Sequence, residues 1–286
     1  MRNKWLITGA SGNVGQALIR HAQQLDDPPE LLFATRKPPA TLPEYATYLP
    51  FDFAAPTTID AAVAAADIVF LLRPPQLADV DRYFLPVVEA LQRHQKPVVF
   101  LSVQGAERSK VIPHNKIERL IEAHNVPYVF LRPSYFMQNL TTTLWDDIVT
   151  QRKIVLPAGK AKFNWIDVED IGAVAATVMA NFDPYAGQKL VLTGQENLSF
   201  GAVVQRWNNH VATPIRYQSV NPVRFYFYKR KQGMTKGFIT VMLLLHFLPR
   251  FQQEPEITST IQDLLHRPPR SLDDFLQDTA KRLHQR

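Results

Sequence analysis

The stretch Trp5-Leu6-Ile7-Thr8-Gly9-Ala10-Ser11-Gly12-Asn13-Val14-Gly15 constrains this chain more than any other. An apolar run feeds directly into Gly-x-x-Gly-x-x-Gly, and beyond Val14 the residues Ala17, Leu18 and Ile19 follow a helical spacing. The pattern predicts a strand, a tight turn and a helix N-terminus. Gly9 permits a sharp turn off the strand. Gly12 lets backbone amides approach a ligand with no side chain between, and Gly15 lets the helix pack close on the strand. Such a helix start presents unpaired N–H donors and a partial positive charge, which suits a pyrophosphate. Only 11 of the 286 residues are glycine, yet three fall within these seven positions. Gly9, Ser11, Gly12, Asn13, Val14 and Gly15 are the expected phosphate-binding residues.

Beyond this first helix the chain alternates strand-like and helix-like segments, the signature of a parallel sheet with crossover helices. Strands are expected at 31–35, 48–53, 67–72, 97–102 and 127–131, and helices at 58–66, 79–93 and 116–124. The strands are nearly continuous apolar runs, as in a sheet covered on both faces. The expected fold is α/β, a Rossmann-like doubly wound parallel sheet with a smaller C-terminal α+β lobe. The dinucleotide-binding domain is expected over residues 1–152 and the substrate or partner lobe over 153–286. Residues near 161–195 are expected to pack back on the sheet, with a substrate cleft between the lobes. Past residue 137 the expected elements are helices at 139–150, 168–181 and 199–211, strands at 153–156, 163–166 and 189–192, and a final helix capped by Ser271. From Pro214 onward the pattern otherwise reads as helices and irregular loops. The apolar run Phe238–Leu248 is eleven residues long, whereas a bilayer span takes about 20. It reads as a buried or interface helix.

The chain has no cysteine, so disulfides, thiolate metal sites and cysteine nucleophiles are excluded, and no metal site is expected. The apolar run at the N-terminus ends at Thr8, too short for a signal-peptide core, so the cytoplasm is the expected location. The formal net charge of +6 is uneven. Between Glu196 and Glu254 there is no Asp or Glu, but there are Arg206, Arg216, Arg224, Lys229, Arg230, Lys231, Lys236 and Arg250. Such a block is a solvated face or an attractor for an anionic cofactor, nucleic acid or a membrane surface. The interleaved aromatics of Arg224-Phe225-Tyr226-Phe227-Tyr228-Lys229-Arg230-Lys231 could stack bases, though they equally fit a helix or strand covering a cleft; nucleic acid is the less favoured partner.

The carboxyl ends of the strands carry the cofactor argument. A site for NAD places an acidic residue about 20 positions past the glycines. Here the second strand ends Ala34-Thr35-Arg36-Lys37, without a carboxylate. Arg36 and Lys37 suit a 2′-phosphate, which favours NADP(H) over NAD(H). Asp52 and Phe53 end the third strand, where Asp52 either accepts from an adenine amino group or is a surface carboxylate beside a helix. Leu72 and Arg73 end the fourth strand, and Ser102 and Val103 end the fifth. All four fall along the line a dinucleotide would follow.

The glycine motif, the Arg36 strand end and Leu131-Arg132-Pro133-Ser134-Tyr135-Phe136-Met137-Gln138-Asn139 together resemble the NmrA-like family, atypical members of the extended short-chain dehydrogenase/reductase superfamily. The stretch Phe163–Ile171 with its Asp-x-x-Asp-Ile block, and the Pro-rich Arg267–Phe275 ending, are similar as well. The resemblance implies a loop after the sixth strand that closes on a nicotinamide, with Pro133, Ser134, Tyr135 and Phe136 in the ring pocket. Phe136 and Met137 read equally as plain core. The resemblance also implies that His114, at a helix start, sits where some relatives place a cofactor-facing lysine. His114 could bond the ribose or carry a proton near neutral pH, or be a solvated histidine. Lys116 is a weaker candidate, and Glu118 reads as a helix-stabilising carboxylate.

The wider superfamily uses a Tyr-x-x-x-Lys pair on a helix as its proton donor. Only Tyr185 and Lys189 have that spacing here. They flank Gly187 ahead of a strand, so the usual pair is not expected to operate, and His114 and Tyr135 are the remaining candidates. Two functions fit. One is an NADPH-dependent oxidoreductase passing hydride to a small, flat acceptor such as a quinone, where stacking and orientation do most of the catalysis. The other is a non-catalytic NADP(H) sensor that binds a regulatory protein partner.

Overall fold

The computed structural model describes residues 3–110 and 112–284. The first half runs β1 (Lys4–Thr8), α1 (Asn13–Ala22), β2 (Glu30–Thr35), β3 (Ala46–Pro50), α2 (Pro56–Ala64), β4 (Ile68–Leu72), α3 (Val80–Tyr83), α4 (Leu85–Arg93), β5 (Val98–Leu101), α5 (Pro113–Ala123) and β6 (Tyr128–Pro133). The second half opens with β7 (Tyr135–Phe136), α6 (Trp145–Gln151), β8 (Lys153–Leu156), β9 (Lys162–Ile166), α7 (Val168–Ala180), β10 (Lys189–Leu192), β11 (Asn197–Ser199) and α8 (Phe200–Trp207). It ends with β12 (Arg216–Ser219), α9 (Pro222–Lys231), α10 (Lys236–Phe247), α11 (Thr260–Leu265) and α12 (Leu272–His284).

Seven strands form one parallel sheet in the order β3-β2-β1-β4-β5-β6-β10. This is the doubly wound α/β fold expected, with the reversal of strand order between β1 and β4. Trp5–Thr8, Leu31–Ala34, Ile68–Leu71 and Val98–Leu101 are buried throughout, because helices cover both faces of the sheet. Helix α1 lies close against α7. A side chain built on Gly172 would reach within 2.6 Å of Ala17, so only glycine lets the two backbones approach this far. Arg20 and His21 then pair with Glu169 across the same seam.

Contacts divide the chain into two compact units. The first takes Met1–Pro133, Val168–Leu192 and Thr260–Arg267, and the second takes Ser134–Asp167, Thr193–Ser259 and Pro268–Arg286. The division falls at Pro133 rather than at residue 152. Segment 168–192 belongs to the first unit because β10 completes the sheet beside β6 and α7 packs on α1.

Several elements depart from the sequence pattern for local reasons. The expected helix 79–93 breaks at Phe84 into α3 and α4. Pro86 has no amide to donate and settles in the first turn of α4. The third strand stops at Pro50, and Asp52 turns the chain into α2: its Oδ1 accepts from the Ala54 amide at 2.9 Å. Residues 139–150 hold a short 3-10 turn and then α6 rather than one helix. Residues 216–219, in a stretch whose pattern reads as helices and loops, form β12, parallel to β8.

The second unit is built around aromatic rings. Tyr135 lies within 5.8 Å, centre to centre, of Phe163, Trp165, Phe200 and His246. Asn164, wholly buried, joins three segments of this unit. Its Oδ1 accepts from the Gly194 amide (2.7 Å) and the Ser134 hydroxyl (2.6 Å), while Nδ2 donates to the Gly194 carbonyl (3.2 Å) and to Asn197 Oδ1 (3.2 Å). Gly194 itself has no room for a Cβ, which would meet the Trp165 carbonyl. Asn164→Ala strands the buried Gly194 amide and takes the partner from the half-buried Ser134 hydroxyl. Loss of such partners costs about 1–3 kcal/mol per group, so urea unfolding should show at least about 2 kcal/mol of destabilisation; a change near zero would mean that water replaces the amide freely.

Candidate dinucleotide-binding site

The glycine stretch folds as its spacing predicts. Gly9 sits at φ +70°, in the left-handed region, and its carbonyl accepts from the Gly12 amide at 2.9 Å. A Cβ on Gly15 would come within 2.2 Å of the Gly9 carbonyl oxygen and 2.9 Å of the Ala10 Cα. The approach of α1 to the turn is therefore set by that missing side chain. Gln16 Nε2 donates to the Ala10 carbonyl at 2.6 Å and holds the turn in place. Gly12 is the N-cap of α1 and offers no side-chain acceptor, and the first turn of the helix contains no acidic residue. No side chain among the described residues caps the leading amides of α1. Ser11, Gly12 and Asn13 are exposed. This is a donor cradle with a positive helix end, open to an anion. It lies at the carboxyl edge of β1 beside β4, the switch point of the strand order.

The other strand ends face the same edge of the sheet. At the end of β2, Arg36 and Lys37 are exposed. Neither has an ion-pair partner among the described residues, and Thr35 Oγ1 donates to the Lys37 carbonyl at 2.8 Å. Past β3, Asp52 and Phe53 are half-buried. One oxygen of Asp52 is committed to the Ala54 amide. Leu72 is also half-buried and lies against Gly9, where a glycine Cβ would meet its methyl groups at 3.3–3.4 Å. These residues and the α1 terminus fit a dinucleotide: donors for its phosphates, unpaired cations for a further phosphate, and apolar walls between.

Arg73 and His114 come together, which sequence reasoning does not anticipate. Arg73 Nη1 lies 3.0–3.1 Å from the carbonyls of Pro74, Pro75 and Leu77, so it shapes the loop after β4. Arg73 Nε donates to His114 Nε2 at 3.4 Å. Burial, and then the neighbouring Arg73 cation, push the His114 pKa down to about 3. The imidazole is therefore neutral at neutral pH, and its Nε2 accepts a hydrogen bond rather than holding a second proton.

Ser102 and Glu118 form the second unforeseen cluster. Ser102 Oγ donates to Glu118 Oε1 at 2.5 Å. Arg132 forks onto the same carboxylate, Nε to Oε1 at 3.0 Å and Nη2 to Oε2 at 2.6 Å. The third nitrogen of Arg132, Nη1, pairs with Glu107 at 3.0 Å. Ser102, Glu118 and Arg132 are all buried. Glu118 is thus no mere helix-stabilising carboxylate: it ties α5 to the ends of β5 and β6 and occupies the Ser102 hydroxyl. The signal available is a carboxylate on the apolar side of α5, one position from Ile117 and three from Ile121. Val103 is half-buried beside Ser102, and Lys116 is exposed.

The loop after β6 divides. Pro133 is buried at the end of β6, in the first unit. Tyr135 and Phe136 form β7 in the second unit, paired with Trp165 and Ile166. Tyr135 is buried, and its hydroxyl lies 2.9 Å from His246 Nε2. His246 Nδ1 lies 2.7 Å from the Met242 carbonyl and so carries the ring proton. The Tyr135 hydroxyl therefore donates to Nε2. Burial raises the Tyr135 pKa, and it lowers that of His246 to about 4. This geometry makes Tyr135 a core residue of the second unit, with its phenol proton engaged there. Tyr185 ends a 3-10 turn and Lys189 opens β10, so the sole Tyr-x-x-x-Lys spacing spans a turn and a strand.

The His114 environment sets a pH dependence. In the unfolded chain a histidine takes up a proton near pH 6.5, whereas the folded His114 resists protonation until about pH 3. Its contribution to stability is complete above pH 6.5 and is lost as pH falls through that window. The His114 ring carbon signal should stay at its neutral position from pH 8 to pH 5 in an NMR titration. A midpoint near 6.5 would contradict the half-buried contact with Arg73.

The comparisons with known proteins agree with this architecture. A curated relative, prestalk A differentiation protein A of Dictyostelium discoideum, is 25% identical over 279 residues, covering 96% of this chain and 91% of its own. The structure resembles that of an NADPH-dependent quinone oxidoreductase of Escherichia coli solved with NADPH, at TM-score 0.82 and 15% identity over 96% of this chain and 99% of the other. It also resembles NmrA, a negative transcriptional regulator solved with NADP, at TM-score 0.75 and 14% identity over 100% of this chain and 98% of the other. The NmrA-like family model matches residues 1–276, and the chain belongs to the NmrA-like family.

Proposed function

We propose that this protein is an NADPH-dependent oxidoreductase acting on a small, flat acceptor such as a quinone. The observation that carries the proposal is the uncapped N-terminus of α1 at the switch point, together with the exposed, unpaired cations Arg36 and Lys37 one strand away. The amides of Asn13 and Val14 would hold the pyrophosphate, Arg36 would fork onto the 2′-phosphate, and Leu72 would line the wall between. When bound, NADPH supplies a hydride.

The proton inventory favours such an acceptor. His114 is held neutral, Ser102 is engaged by Glu118, and the Tyr135 hydroxyl is engaged by His246. An acceptor whose product takes its protons from water asks little of these groups. The chain would contribute binding and orientation, which together account for much of the barrier in hydride transfer between two planar partners. The solved quinone oxidoreductase supports this reading as a neighbour of the same fold.

The same inventory also suits a second reading, a sensor of NADP(H) that binds a protein partner; a neighbour of the same fold is a negative transcriptional regulator solved with NADP. Stopped-flow oxidation of NADPH against a panel of quinones, azo dyes and aldehydes separates the two. Turnover well above background with a quinone is expected. No turnover with any acceptor, alongside a partner retained differently by the NADP- and NADPH-loaded protein, would favour the sensor. Arg36→Ala should weaken NADPH binding by at least about tenfold, in line with about 1.5–3 kcal/mol for a charged hydrogen bond, and leave NADH within about twofold. Equal losses for the two would remove Arg36 from the phosphate site.

A further inference from the structure

Helix α10 is apolar on a buried side and on an exposed side. Ile239, Met242 and His246 point into the second unit and are buried. On the other side Phe238, Val241, Leu244, Leu245 and Leu248 are exposed, Leu244 at 53% and Phe238 at 38%. At 100° per residue these five positions share one face about 120° wide, running about 15 Å along the axis. Phe251 extends the apolar surface beyond the helix at 72% exposed. A contiguous row of large exposed apolar side chains is not an ordinary solvated surface; it marks an interaction site.

The surrounding charge selects the occupant. Lys236 stands at the start of the stripe and Arg250 at its end, and α9, packed against α10, carries Arg224, Arg230 and Lys231. None of these five has a carboxylate partner among the described residues, and no Asp or Glu occurs between Glu196 and Glu254. A second copy of the chain would be a poor occupant. A two-fold interface sets the same patch against itself. Pairing two copies through the stripe would also bring together the cations at the two ends of α10, Lys236 and Arg250, in either direction of pairing. Either way cation meets cation. An anionic lipid surface complements both features at once, accepting the apolar side chains at the depth of the acyl boundary and the cations at the headgroups. Among the described residues no helix is long and apolar enough to cross a membrane, so α10 would lie along the surface.

We propose that the α10 face docks the protein reversibly onto anionic membranes. The test is co-sedimentation of the full chain with phosphatidylcholine vesicles, with and without about 30 mol% phosphatidylglycerol. The expected result is binding to the anionic vesicles only, weakened by 0.5 M salt. Leu244→Glu/Leu245→Glu should lower the partition at least about tenfold. These positions are exposed, so an unchanged thermal midpoint will show that the fold is intact. Lys236→Gln should lower the partition about fivefold and reduce its salt dependence. No binding by the wild type, or equal binding by the double variant, overturns the proposal. So does a two-chain mass in light scattering that falls to one chain in the double variant.

Discussion

The first unit depends on how closely α1 can approach its neighbours. On one side Gly15 brings the helix against the Gly9 carbonyl, with no space for a single carbon. On the other, Gly172 of α7 meets the backbone of α1 at Ala17 under the same restriction. Two glycines and an alanine therefore fix the helix from both sides. A helix held so close to the sheet directs its unpaired amides over the carboxyl edge of β1, where a ligand can reach them. An extra carbon at position 15 would have to move backbone, and overpacking of this kind costs about 1–3 kcal/mol or more.

A second regularity links β9 and α7 to the C-terminal segment. The Asp-x-x-Asp block contributes two buried carboxylates, Asp167 and Asp170. Asp167 pairs with Arg270 at 2.8 Å within the second unit, and Asp170 with Arg267 at 2.7 Å within the first. Buried carboxylates without cations would be costly, so this motif and the Pro-rich ending depend on each other chemically. The resemblance noted in both stretches thus has a physical basis in paired charges.

The sheet is legible in the sequence because apolar strand runs and alternating helices leave few other folds, and because Gly-x-x-Gly-x-x-Gly admits few turns. The Arg36–Lys37 strand end is legible for the same reason: its position follows directly from the end of β2. Side-chain partnerships are not legible. Glu118 and Arg132 lie 14 residues apart, and only the pairing of β5 with β6 and the packing of α5 bring them together. Tyr135 sits in a motif that suggests a ring pocket, but its neighbours Phe163, Phe200 and His246 come from distant segments. β12 escapes a pattern-based reading because Arg216-Tyr217-Gln218-Ser219 is polar; it pairs at an edge where an apolar pattern is not required. The apolar run of α10 reads as buried or at an interface, and the helix is buried on one face only.

On the function proposed above, the open end of α1 and the Arg36 strand end form one dinucleotide site that prefers NADPH. A crystal structure of the protein with NADPH tests this most directly. The predicted result is a pyrophosphate within hydrogen-bonding distance, about 3 Å, of the Asn13 or Val14 amide, and the 2′-phosphate on the Arg36 guanidinium. A dinucleotide bound elsewhere, or a 2′-phosphate in solvent away from Arg36, would contradict it.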